Sequence, residues 1–218
     1  PTKRILLTSN GLTTPSLRTH FTRLLKDAAG SGGAHLAYIP DAAIAEGANR
    51  EALCRSRTQE LTKLGATTVS CFELRGLTQA QLKEKLEGKT AVYVDYGNTF
   101  YLRFFQRQSG FDELAHTMVN EGKLLYIGAS ASSICAGKTA EIAFWKGWDD
   151  PGYGMEWDLR DSFGYAGMGL VPDLSFFPHY SGRYQDLVQR RQAQTDHQVI
   201  TLDDTQGYLI EGEKRGYV

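Results

Sequence analysis

Short apolar runs alternate along this chain with segments whose apolar residues recur every three or four positions. Arg4–Ser9 reads as a strand. Thr14-Pro15 then offers a helix cap followed by proline at the first helical position. Leu17, Phe21, Leu24, Leu25 and Ala28 follow at helical spacing, and Gly30–Gly33 ends the segment. The same alternation predicts strands at His35–Pro40, Thr67–Glu73, Thr90–Asp95 and Lys123–Gly128. Between them it predicts helices at Glu51–Leu64, Thr78–Leu86, Thr99–Arg107 and Phe111–Glu121. Strand–helix alternation of this kind predicts an α/β three-layer sandwich, with a mostly parallel sheet and helices on both faces.

In such sheets ligands bind beyond the carboxyl ends of the strands. Ser9-Asn10-Gly11, Tyr96-Gly97-Asn98 and Gly128-Ala129-Ser130 all fall at strand ends, so three loops are expected to converge on one crevice. From Lys138 to Pro172 the pattern breaks into a long stretch rich in glycine, aromatic and acidic residues, read as irregular. Beyond it, Leu174–Pro178 reads as a strand ending at His179, and Tyr184–Gln194 as a helix. Val199–Leu202 and Gly207–Ile210 flank Asp203-Asp204-Thr205-Gln206 as a hairpin-like ending. With no repeat or linker, residues 1–218 are expected to form a single domain.

Charge and composition narrow the function. A net charge of −1 gives no bulk attraction to nucleic acid or anionic membrane. The apolar runs are too short to span a bilayer, and the N-terminal residues read as a first strand, not a signal peptide. Cys54, Cys71 and Cys135 are an odd, widely spaced set without metal-ligand spacing, so reduced thiols in the cytoplasm are expected.

The chemistry concentrates at Lys123-Leu-Leu-Tyr-Ile-Gly128-Ala129-Ser130-Ala131-Ser132. A strand that turns abruptly into a helix through small residues lifts a serine hydroxyl out of the sheet, which marks Ser130 as a nucleophile. The Ala131 N–H would open the following helix and face a developing oxyanion. A serine needs a base, and of the five histidines only His179 stands at a strand end, behind a proline that fixes the chain direction. The acid that would orient it stays open among Glu141, Asp149, Asp150, Glu156, Asp158, Asp161 and Asp173. Glu156, between Met155 and Trp157, has the most apolar neighbours. Gly97, after the fourth strand, is placed to offer a second oxyanion N–H, or simply to form a turn. Ser132–Thr139 nearly spells a phosphate-binding loop, but Ser132 stands where its first glycine is required.

These residues, in this order, resemble the serine peptidases of the dipeptidase E and cyanophycinase family. Lys3–Gly11 is similar to the family's opening strand and loop, and Ala37-Tyr-Ile-Pro40 to its second strand end. Tyr96-Gly97-Asn98-Thr99 stands where the family has Gly-Gly-Asn-Thr. Gly128-Ala-Ser130-Ala-Ser132 stands for Gly-x-Ser-Ala-Gly, and Pro178-His179-Tyr180 for Pro-His-Phe or Pro-His-Tyr. The resemblance implies a flavodoxin-like or class I glutamine-amidotransferase-like fold. It implies Ser130 as nucleophile, His179 as base, and Gly97 and Ala131 as oxyanion donors. The acid it places a little over twenty residues before the histidine is Glu156, with Asp158 as alternative. Arg183 would receive a substrate aspartate, with Asn98 as a further substrate contact. The implied activity is hydrolysis of short peptides, foremost dipeptides with N-terminal aspartate, with no metal or cofactor. An esterase-type α/β hydrolase and a non-catalytic relative that binds a small acidic ligand are the competing readings. The sequence leaves a homodimer open. Ser132 and Tyr96, each replacing a family glycine, are the two departures.

Overall fold

A computed structural model describes residues 2–149 and 164–218. Its main sheet has seven strands. They are β1 (Arg4–Thr8), β2 (His35–Ile39), β3 (Thr68–Cys71), β4 (Ala91–Val94), β5 (Leu125–Ala129), β8 (Gly207–Glu211) and β9 (Lys214–Tyr217), in the order β3-β2-β4-β5-β1-β8-β9. The first five are parallel. β8 runs antiparallel to β1, and β9 antiparallel to β8. A separate parallel pair joins β6 (Leu174–Phe177) to β7 (Gln198–Thr201).

The apolar alternation within each central strand sorts residues to two faces. Ile5, Leu7, Val92, Val94 and Tyr126 pack beneath α5 (Thr99–Gln108), α6 (Phe111–Asn120) and α7 (Ala131–Ala136). Leu6, Leu36, Tyr93, Leu125 and Ile127 pack on the other face, with Leu17, Phe21, Leu24 and Leu25 of α1 (Pro15–Ala29) and Leu61 of α3 (Arg50–Lys63). The expected strands and helices are all present, with shifted ends. Thr14 caps α1 by accepting a hydrogen bond from the Leu17 N–H, and Pro15 follows it. Thr78 closes a reciprocal capping box with Gln81 at α4 (Gln79–Leu86).

Two expectations are corrected. The Asp203–Gln206 turn does not close a hairpin between its flanking strands. β7 pairs with β6, while β8 crosses to β1, and the terminal hairpin is β8–β9. The composition of a turn does not say which sheet each flanking strand joins; buried partners do. Second, Cys54 and Cys71 are joined as a disulfide, because α3 packs beside β3. Only Cys135 is a free thiol, and burial pushes its pKa up to about 12. Among the described residues, no helix is long and apolar enough to cross a membrane.

The short helix α2 (Asp41–Ala45) lies against the site and is tied down by a buried carboxylate. Asp41 accepts hydrogen bonds from the N–H groups of Leu74 (2.9 Å) and Arg75 (3.1 Å). Asp41→Ala leaves those two donors without their partner, at about 1–3 kcal/mol for each buried group. Denaturant titration is expected to show a loss of roughly 2–5 kcal/mol with an unchanged m-value.

Candidate active site

β5 ends at Ala129, and α7 begins at Ala131. Between them Ser130 has φ 52° and ψ −105°, a conformation that a non-glycine residue adopts only where its surroundings impose it. The Ser130 N–H donates to Thr8 O of β1 (3.0 Å), and Ser130 O accepts from the Ser133 and Ile134 N–H groups. The turn is therefore bonded to the sheet on one side and to the helix on the other. Ser132, the departure from the family pattern, is fully buried and useful there. Its Oγ accepts from the Ala129 N–H (2.7 Å) and donates to Val94 O (2.5 Å), joining the ends of β4 and β5.

His179 follows β6 and also has a left-handed backbone, φ 53°. Its Nε2 lies 2.8 Å from Ser130 Oγ. Its Nδ1 lies 2.5 Å from Asp204 Oδ1. An ionised carboxylate only accepts, so Nδ1 carries the proton and Nε2 presents its lone pair to the Ser130 hydroxyl. Ser130, His179 and Asp204 thus form one directed chain of hydrogen bonds, the geometry in which an imidazole takes a serine proton and a carboxylate stabilises the resulting cation.

Asp204 sits in the turn between β7 and β8, after the histidine in the chain. The candidate acids read from the sequence all lie between Ser130 and His179 in the chain. Glu156 and Asp158, the acids the resemblance favoured, lie outside the described residues, as do Asp150 and Asp161. Of the remaining candidates, Glu141 accepts from Trp145 Nε1 (3.5 Å) and Asp173 pairs with Arg215. Asp149 lines the cleft but accepts from the Thr99 N–H (2.9 Å).

The cleft beside Ser130 and His179 has a volume of about 240 Å³, and Gly97, Tyr96, Lys146, Trp148, Asp149 and Glu46 contribute to its wall. Gly97 is required where it stands. Its φ is 129°, and a Cβ there would fall 2.1 Å from Ala42 O of α2. Its N–H has no hydrogen-bond partner among the described residues. Ala131, the first residue of α7, has no acceptor for its N–H within the helix. Tyr96, the other departure, has the Arg57 guanidinium over its ring at 5.7 Å, and Arg57 in turn is held by buried Asp95 (2.9 Å).

The two expected substrate contacts are placed otherwise. Asn98 caps α5, its Oδ1 accepting from the Tyr101 N–H (2.9 Å), and it is not part of the cleft wall. Arg183 is exposed on the 3-10 turn Gly182–Tyr184, bonded to the Tyr184 hydroxyl (2.8 Å) and also outside the wall. Among the described residues, the cation in the cleft wall is Lys146. Its Nζ donates to Pro178 O and lies over the rings of Phe177 (4.3 Å) and Trp148 (4.4 Å). Burial lowers its pKa to about 8, against the opposing pull of Asp204 and Asp149. Burial likewise raises the pKa of Asp149, and burial followed by the Asp149 charge raises that of Glu46.

A second serine–histidine–aspartate string shows what else a site needs. Ser175 Oγ is 2.7 Å from His197 Nε2, and His197 Nδ1 is 3.0 Å from Asp196 Oδ1. Ser175 is wholly buried within β6, with regular strand backbone. It does not line the cleft that holds Ser130, and the string ties β6 to the segment before β7.

Comparison with curated proteins found no match. Among solved structures, a putative peptidase E protein from Listeria monocytogenes EGD-e superposes with a TM-score of 0.77 at 22% identity, covering 100% of this chain and 98% of that one. A peptidase from an acI-B1 actinobacterium gives 0.70 at 17% identity, covering 99% and 86%. At these identities the likeness establishes a shared fold. The family model of peptidase family S51 matches residues 5–217, nearly the whole chain. The chain belongs to peptidase family S51, the dipeptidase E and cyanophycinase family, and is a serine-type peptidase.

Proposed function

We propose that this peptidase removes an N-terminal aspartate from short peptides, dipeptides foremost. Ser130 Oγ attacks the first peptide carbonyl as His179 Nε2 takes its proton, forming the O–C bond. The Gly97 and Ala131 N–H groups hold the oxyanion. The C–N bond then breaks, and His179 returns the proton to the leaving amine. Water, deprotonated by the same imidazole, then attacks the acyl carbon; the bond to Ser130 Oγ breaks, His179 returns the proton to Oγ, and aspartate leaves.

The observation that carries the specificity is Lys146. It shares a cleft wall with Ser130 and His179, and no carboxylate among the described residues lies within ion-pair distance of it. A half-buried ammonium in that position favours a substrate carboxylate. Asp149 and Glu46 stand in the same wall, and an arriving α-ammonium of a free N-terminus would favour their charged forms against the burial that raises their pKa. Arg183, whose charge also depresses Lys146, adds attraction from nearby.

Assay of an Asp-X dipeptide panel against Asn-X tests the reading. Lys146→Met is expected to raise KM for Asp-X by about 30- to 100-fold, the loss of one buried charge pair, with little change for Asn-X. Arg183→Met is expected to change it less than tenfold. Lys146 is charged below its pKa of about 8, so selectivity for Asp-X is expected to hold at neutral pH and to fall as pH rises past that value. Equal turnover of Asp-X and Asn-X by the unmodified protein would overturn the specificity.

A further inference from the structure

We propose that Ser9 is the positioning residue of this site, its hydroxyl holding the His179 backbone and the Asp204 carboxylate in one register so that the imidazole stays aligned on Ser130. The inference rests on the reading of Ser130, His179 and Asp204 as a catalytic set.

Ser9 follows directly on β1 and is fully buried. Its Oγ accepts from the His179 backbone N–H at 2.7 Å. The same Oγ donates to Asp204 Oδ1 at 3.0 Å. A hydroxyl has one proton to give, so the donor role at Asp204 and the acceptor role at His179 fix its orientation. Asp204 Oδ1 also receives the His179 Nδ1 proton, which closes a ring through the Ser9 hydroxyl, the His179 main chain, its imidazole and one carboxylate oxygen.

Two features explain why such a clamp is needed. The Asp204 side chain is 56% exposed, so water competes for its oxygens and burial does not hold it still. His179 has a left-handed backbone that a non-glycine residue keeps only under constraint, and its N–H bond to Ser9 supplies one. The rest of the turn is pinned separately. The Ser9 N–H donates to Gln206 O (3.2 Å), Thr13 Oγ1 donates to Asp204 O (3.2 Å), and Asp203 Oδ1 accepts from the Thr205 N–H (2.8 Å). The backbone of the turn therefore persists when the Ser9 hydroxyl is removed, and what is lost is the aim of two side chains. Ser9 touches no reacting atom; it acts through His179 and Asp204.

Ser9→Ala separates positioning from folding. A fluorophosphonate that labels the nucleophilic serine reads the activation of Ser130 without any assumption about the peptide substrate. Its labelling rate is expected to fall about 10- to 100-fold, as for a misaligned general base. The proton between His179 Nδ1 and Asp204 is expected as a low-field 1H resonance in the unmodified protein, and to broaden away in Ser9→Ala while the amide spectrum keeps its native dispersion. In an Asp204→Asn background Ser9→Ala is expected to cost little more, because the two act as a unit. Unchanged labelling with the resonance retained would overturn the proposal, as would losses that simply multiply in the double variant. Should the unmodified protein resist labelling, the catalytic reading fails, and the low-field resonance still decides whether Ser9 holds the pair.

Discussion

Ser130→Ala is expected to lower kcat/KM by about 10⁵- to 10⁶-fold while leaving the melting temperature within a few degrees. The size follows from what the turn contributes. Removing Oγ deletes the atom that forms the acyl-enzyme, and no other described hydroxyl takes its place beside His179 Nε2. Ser132 and Ser133, its neighbours, have their hydroxyls committed to Val94 O and Thr8 O inside the fold. The residual rate would come from binding and the oxyanion donors alone. Stability is expected to hold because the bonds that anchor the turn use the Ser130 backbone, not its side chain. Relief of the left-handed strain is not expected either, since alanine carries the same Cβ. Full activity in Ser130→Ala would refute the nucleophile and the acyl-enzyme route with it. A variant that fails to label with fluorophosphonate yet melts normally would establish Ser130 as the reacting serine.

What the sequence revealed and what it hid divide along a physical line. β1 to β5, their helices, the elbow at Ser130 and the strand-end His179 were legible because their signals are local. They are periodicity, caps, a small-residue turn and a proline before the histidine. Asp204 was hidden because its position depends on a long-range choice. The turn that carries it leaves a strand paired to β6 and enters one paired to β1, and neither pairing is written in Asp203-Asp204-Thr205-Gln206. Lys146 was hidden for a related reason. In sequence it is one lysine in an irregular stretch, and only the rings of Phe177, Trp148 and Tyr184 around it make it a half-buried cation of the cleft. Asn98 shows how one residue type serves two local roles. A residue whose type suits a ligand also suits the first turn of a helix, and the cap takes it. The convergence of the loops after β1, β4 and β5 was readable in outline; that Ser9 bonds to both His179 and Asp204 was not.

Asp204→Asn is expected to reduce kcat by about 10⁴-fold with KM nearly unchanged, equivalent to about 5.5 kcal/mol of transition-state stabilisation. An asparagine preserves shape but not charge. If its amide nitrogen faces His179, Nδ1 must become the acceptor, and Nε2 then carries the proton and cannot take one from Ser130. If its carbonyl oxygen faces His179 the tautomer survives, yet the imidazolium formed during attack has lost its counter-charge. Either orientation disables the base while leaving the cleft wall, including Lys146, in place, so substrate affinity is expected to persist. Glu156→Gln is the decisive companion, because the family resemblance points to Glu156 and the geometry to Asp204. A loss confined to Asp204→Asn assigns the imidazole's partner to the β7–β8 turn, giving the chain order serine, histidine, acid. An equal loss confined to Glu156→Gln would place the partner between the two and leave the Asp204 bond to His179 without a catalytic role. Because the Asp204 side chain is more than half exposed, its effect would have to come from direction and charge at close range, not from burial. That is why a change of one atom, oxygen to nitrogen, is expected to matter so much there.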